Sequence, residues 1–134
     1  MIATADTNVI VRIIEGDNPQ QTAAALNLMV KSTKFVIPVV VFCETVWVLR
    51  SVYKRNWNFI ATAIRSLTGN AKVVTEDDAV LAGLRMLDDN GDFADGVVQY
   101  TGSVLADGPS TYASFDQAAV SRLSARGIAA MIPQ

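Results

Sequence analysis

The chain alternates short apolar runs with longer stretches of helical character, and this alternation limits its fold more than any other feature. Five runs have strand length: Ile2 to Asp6, Lys34 to Ile37, Ala71 to Val74, Ser110 to Ser114 and Gly127 to Ile132. The stretches between them carry helix end signals. Thr7 with Asn8 can cap the segment after the first strand. Asn18-Pro19 opens a helix to about Val30, with a side-chain acceptor at the cap and proline in the first turn. Val39 to about Tyr53 is helical by length despite its β-branched content, and Asn58 to Leu67 forms another helix, stopped near Gly69. Thr75-Glu76-Asp77-Asp78 sets a capping hydroxyl and three acids on the first turn of a helix ending near Asn90-Gly91, where they offset the positive end of its dipole. A further helix runs from Asp92 to about Ala106, Asp107-Gly108-Pro109 breaks it, and Gln117 to Ala125 is the last. Strands alternating with helices predict an α/β fold, a single domain over residues 1–134 built as a three-layer α/β/α sandwich on a mostly parallel five-stranded sheet.

A chain of 134 residues buries about two thirds of the surface its unfolded form exposes, so its core needs neither a disulfide nor a structural metal. The lone Cys43 cannot form an internal disulfide, which excludes the cystine-stapled secreted class and predicts a cytoplasmic protein. Met1 leads into an apolar run with no basic region before it, so no signal peptide is expected. The most hydrophobic stretch, Phe35 to Leu49, holds Pro38 and Glu44 and is shorter than the roughly 20 residues that span a bilayer; it predicts a buried element and no membrane partner. The chain contains no histidine. Ser-His-Asp and Cys-His triads, zincins and any imidazole general base are thereby excluded, leaving carboxylates, hydroxyls, Lys and Arg.

The formal charge of -2 hides a segregation of sign. Residues 31–72 hold seven basic side chains against Glu44 alone, a local sum of +6, whereas residues 73–116 hold nine acids against Arg85, a sum of -8. Such asymmetry is a reason to look for a charged ligand, although a solvated surface also produces it.

In open α/β sheets ligands bind beyond the carboxyl ends of the strands. Asp6 closes the first run and Asp116 follows the fourth, so the two would face each other if the first and fourth strands were neighbours. Each can equally be an ordinary helix cap. Glu44 is the one charge in its apolar segment, and it must reach solvent, find a partner or bind a cation. Asp92 and Asp95 share a helix face one turn apart, Asp92 placed to cap and Asp95 already inside the helix. Four carboxylates in one pocket would raise one another's pKa values without a counter-charge. A hard divalent cation supplies it, and oxygen-only ligands favour Mg²⁺ or Mn²⁺ over Zn²⁺.

The residues in this order resemble the PIN domain. An apolar strand ends in Asp6-Thr7-Asn8-Val9, Glu44 stands isolated in the third helical element, Asp92-Phe93-Ala94-Asp95 opens a later helix, and Ser114-Phe115-Asp116 follows the fourth strand. The compact size and the last two motifs are most similar to VapC-type toxins of bacterial toxin-antitoxin modules. The resemblance implies a magnesium-dependent endoribonuclease in which Asp6, Glu44, Asp95 and Asp116 match the acidic quartet, Asp6 and Asp95 as main metal ligands. It places Thr7 and Ser114 beside the acids in supporting roles, with Asp92 beside Asp95. Ser114 stands where the family usually has Thr, and Gln117 to Arg122 lacks a further acid found in some members, which bears on a second metal. The implied partners are RNA, a cognate antitoxin covering the acidic residues with a basic side chain, and a second copy of the chain. Trp47, Trp57 and Phe59 suit such a homodimer interface, although their helical spacing suits the core better.

Two other readings stand beside this one. A catalytically inactive PIN-fold interaction module would keep the fold and bind a partner without cutting RNA. An Asp-nucleophile phosphatase of the haloacid dehalogenase type ranks lower, because it needs a second Asp where Asn8 stands. A receiver domain would need a late lysine, and none follows Lys72; the Gly-x-Gly-x-x-Gly and Walker patterns are absent.

Overall fold

A computed structural model describes all residues, Met1–Gln134, in seven helices and five strands. The chain divides into two compact units, Met1–Asp77 and Asp78–Gln134.

The first unit contains β1 (Ile2–Thr4), α1 (Thr7–Glu15), α2 (Pro19–Lys31), β2 (Lys34–Val36), α3 (Val39–Ser51), α4 (Trp57–Thr68) and β3 (Val73–Val74). Its strands form one parallel sheet in the order β1-β2-β3, Ile2 opposite Lys34 and Phe35 opposite Val73. Parallel neighbours need long crossovers, and each here contains two helices. Ala5 N–H donates to the Val36 carbonyl and Ile37 N–H to the Val74 carbonyl, so pairing continues a residue past the strand ends. Phe35 and Ile37 alternate into the core, where Ile10 of α1, Phe42, Val46 and Leu49 of α3, and Ile60 and Ile64 of α4 are also buried. The α3 and α4 positions recur at three- and four-residue steps, giving each helix one apolar stripe. Burying one such side chain contributes about 1.5–3 kcal/mol.

The helix ends explain where the sequence expectations hold and where they shift. Asn18 caps α2 through Gln21 N–H, as its placement predicts, and Asn56 caps α4 through Phe59 N–H, so that helix starts just before Asn58. The segment after the first strand is itself a helix, α1, and its cap is Asp6 rather than Thr7 or Asn8. Gly16, at φ 63, terminates it with its N–H on the Arg12 carbonyl. Pro38 precedes α3 and has no side-chain acceptor to offer. Glu76 fills that role, accepting Val39 N–H at 2.7 Å, and α5 accordingly starts at Asp77 instead of Thr75. Arg55 grips Glu15 with two hydrogen bonds of 2.9 and 2.6 Å, tying the end of α1 to the loop after α3.

The second unit contains α5 (Asp77–Asp88, its first residue at the boundary), α6 (Phe93–Leu105), β4 (Tyr112–Ala113), α7 (Gln117–Ala125) and β5 (Ala130–Met131). Met86, Ala119 and Leu123 form its core cluster, with Tyr112, Ile128 and Ala130 packed on it. Gly96 brings the backbone of α6 close to α5: a Cβ there would lie 2.8 Å from the Ala82 carbonyl carbon. β4 and β5 pair in parallel, Tyr112 opposite Ala130.

The α/β class and the parallel pairing are as the sequence predicts, but the five strands form two small sheets, of three and two strands. The first strand pairs with the second and the fourth with the fifth, so the first and fourth are not the neighbours that an Asp6–Asp116 meeting presupposed. In β4 the Tyr112 and Ser114 N–H groups bond the Ala129 and Met131 carbonyls, which fixes its pairing with the fifth strand along one edge. No helix is long and apolar enough to cross a membrane.

Candidate active site

In the first unit, Asp6 sits two residues past β1 in extended conformation, and its Oδ1 accepts Thr7 N–H at 2.7 Å. Thr7 is the first residue of α1 and buried, and its hydroxyl donates to Glu44 Oε2 at 2.8 Å. Glu44 lies on the exposed side of α3, between Val40 and Trp47 one turn away on either side, both also exposed. Of the three fates open to this carboxylate, it reaches solvent and has a hydroxyl partner. Thr7 thus contacts both acids, one through its N–H and the other through its hydroxyl.

In the second unit, Asp92 caps α6, accepting Ala94 N–H at 3.3 Å, and Asp95 follows in the first turn. Asp95 is half-buried and accepts the Tyr112 hydroxyl at 3.0 Å. Burial raises its pKa above the ordinary 3.8; the Tyr112 hydrogen bond opposes the rise, the negative charges of Asp92 and Asp116 add to it, and the Arg122 guanidinium opposes it. Asp116 caps α7, its Oδ1 accepting Ala119 N–H at 3.1 Å, while its own N–H donates to Ser114 Oγ at 3.0 Å.

The helix-cap reading is therefore realised for Asp6, Asp92 and Asp116, and it does not remove them from chemistry. Each member of the expected quartet commits one oxygen to a protein donor: Asp6 Oδ1, Glu44 Oε2, Asp95 Oδ1 and Asp116 Oδ1. The second oxygen of each makes no hydrogen bond to protein and can serve as a single-atom ligand. All-oxygen, anionic donors suit a hard divalent cation, and the negative charges that disfavour ionised Asp95 are what such an ion would offset. Each unit contributes only two quartet members, and no group of three or more Asp, Glu or Cys side chains is assembled to hold a metal.

The basic residues are partly engaged within the protein. Arg55 pairs with Glu15, Lys72 donates to the Val30 carbonyl at the end of α2, and Arg50 lies 4.2 Å over the Trp57 ring. Lys31, Lys34 and Lys54 are exposed and form no ion pair. Trp47 corrects the expectation that the aromatic residues belong to the core, since it is 65% exposed. Tyr112 and Arg122, which act on Asp95, have no place in the sequence motifs. Tyr112 lies two residues before Ser114, on the same side of a strand, and that spacing is the one signal that marks it.

Matching against family models identifies a PIN domain over residues 3–98, a span that runs from the first unit into α6 and takes in Asp6, Glu44 and Asp95 but not Asp116. No curated protein sequence and no solved structure matches the chain. PIN domains are generally nucleases, and the α/β arrangement with parallel strands agrees with that fold. The chain belongs to the PIN domain family.

Proposed function

We propose that the protein is a divalent-cation-dependent endoribonuclease, the toxin of a VapC-type toxin-antitoxin module, acting in the cytoplasm. The observation that carries the reading is that Asp6, Glu44, Asp95 and Asp116 each commit one oxygen to a protein donor and keep the other free of a protein hydrogen bond. In this reading Asp6 and Asp95 are the main ligands of Mg²⁺ or Mn²⁺, and Glu44 and Asp116 complete the set. Such an ion, when bound, supplies Lewis acidity toward a phosphodiester and makes water a competent nucleophile near neutral pH.

The chain's own residues supply orientation and charge. Thr7 fixes the Glu44 carboxylate from a buried position, and the caps of α1 and α7 fix Asp6 and Asp116 against their backbones. Lys31, Lys34 and Lys54 are free to contact RNA phosphates, which would make binding fall with added salt. The same reading includes a cognate antitoxin and a homodimer, and the exposed Trp47 offers a second copy an apolar contact.

Cleavage of single-stranded RNA by the full chain tests the proposal. Cutting is expected with Mg²⁺ or Mn²⁺ and is expected to vanish with EDTA, in Asp6→Asn and in Asp95→Asn. Cutting that survives EDTA or both substitutions refutes the carboxylate-cation mechanism. A folded chain that binds a partner but never cuts RNA selects the interaction module instead.

A further inference from the structure

Tyr112 is held at both ends. Its ring packs on the Met86, Ala119 and Leu123 cluster, and its hydroxyl donates to Asp95 Oδ1 at 3.0 Å. Ser114, next on the same side of the strand, accepts Asp116 N–H at 3.0 Å through Oγ. In the Tyr112–Asp95 bond the hydroxyl is the donor, because an ionised carboxylate only accepts.

We propose that Tyr112 is a positioning residue for Asp95: through this hydrogen bond it fixes the plane of the carboxylate and leaves Oδ2 as the atom presented to a divalent cation. The inference rests on the nuclease reading, and it adds a residue that lies outside the acidic motifs and beyond the matched span of 3–98. A packed aromatic ring cannot follow a wandering carboxylate, so the hydroxyl defines one position for Asp95. The half-buried surroundings strengthen that bond relative to one in water. Phenylalanine at this position keeps the packing and removes only the donor.

Titration with Mn²⁺, with free ion followed by electron paramagnetic resonance, separates this role from simple satisfaction of a tyrosine hydroxyl. Tyr112→Phe is expected to weaken Mn²⁺ binding roughly 10-fold or more, the range found for partners that orient metal ligands. In an Asp95→Asn background the same substitution is expected to cause no further loss. Unchanged Mn²⁺ affinity in Tyr112→Phe, with wild type binding, overturns the proposal but not the nuclease reading. Wild type that fails to bind Mn²⁺ overturns both. If Tyr112→Phe does not fold, Tyr112→Met keeps an apolar side chain on the cluster without the donor and is expected to weaken binding by a similar factor; unchanged affinity there also overturns the proposal.

Discussion

Gly96 and Gly102 stand in the same helix, and alanine at the two positions is expected to shift stability in opposite directions. A methyl at Gly96 would lie 2.8 Å from the Ala82 carbonyl carbon, closer still to its oxygen, and 2.9 Å from Met86 Cγ. The first two atoms are backbone of α5, which cannot rotate aside as a side chain can, so the helices must separate. Overpacking of this kind costs about 1–3 kcal/mol, and contact with backbone places Gly96 at the upper end. Alanine's helix propensity returns about 1 kcal/mol, leaving a net loss of about 2 kcal/mol. At Gly102 the new methyl meets only Ser110 Oγ at 3.8 Å, an ordinary contact, so the propensity gain of about 0.5–1 kcal/mol stands alone. Urea unfolding should therefore order the midpoints Gly102→Ala, wild type, Gly96→Ala. A Gly96→Ala midpoint at or above wild type would refute the close approach of α5 and α6.

Two further predictions concern charge. Asp95 is harder to ionise in the folded chain, chiefly through burial, and an acid with a raised folded pKa loses stability as pH climbs from its ordinary value through the raised one. Asp95→Asn should thus raise Tm at pH 7, as it removes activity, and leave Tm unchanged below pH 3.8; a lower Tm at pH 7 contradicts the assignment. Asp89 is the opposite case, its pKa lowered chiefly by the hydrogen bond from Arg126. Its contribution is present above the ordinary 3.8 and disappears as pH falls through the lowered value, so Arg126→Gln should destabilise at neutral pH and flatten the acid limb of the stability curve. The effect should be small and salt-sensitive, because the pair is partly exposed, and an unaltered acid limb in acid denaturation would count against it.

The helix ends were the most legible part of the fold. Asn18-Pro19, Asp92 and the Gln117–Ala125 segment all stand where their cap chemistry predicts, because a cap needs only residues within one turn. Helix α1 was legible only as a capped segment of unstated length: Thr7 with Asn8 stood as its cap and Asp6 as either a strand end or a cap, and it is the Asp6 carboxylate that accepts Thr7 N–H. Glu76 misled for the converse reason: its carboxylate serves α3, 37 residues earlier, and not its own helix.

The candidate acids were legible as residue types and positions, and their partners were not. The sequence by itself determined that no histidine is available for chemistry, that strands alternate with helices, and that Asp6, Glu44, Asp95 and Asp116 stand in an order that resembles the PIN domain. Only the tertiary structure decided which distant donors hold two of them: Thr7 for Glu44, and Tyr112 for Asp95. Composition, capping and periodicity act within a few residues along the chain. A hydrogen bond across 37 residues, or a half-buried carboxylate's raised pKa, depends on how distant segments pack.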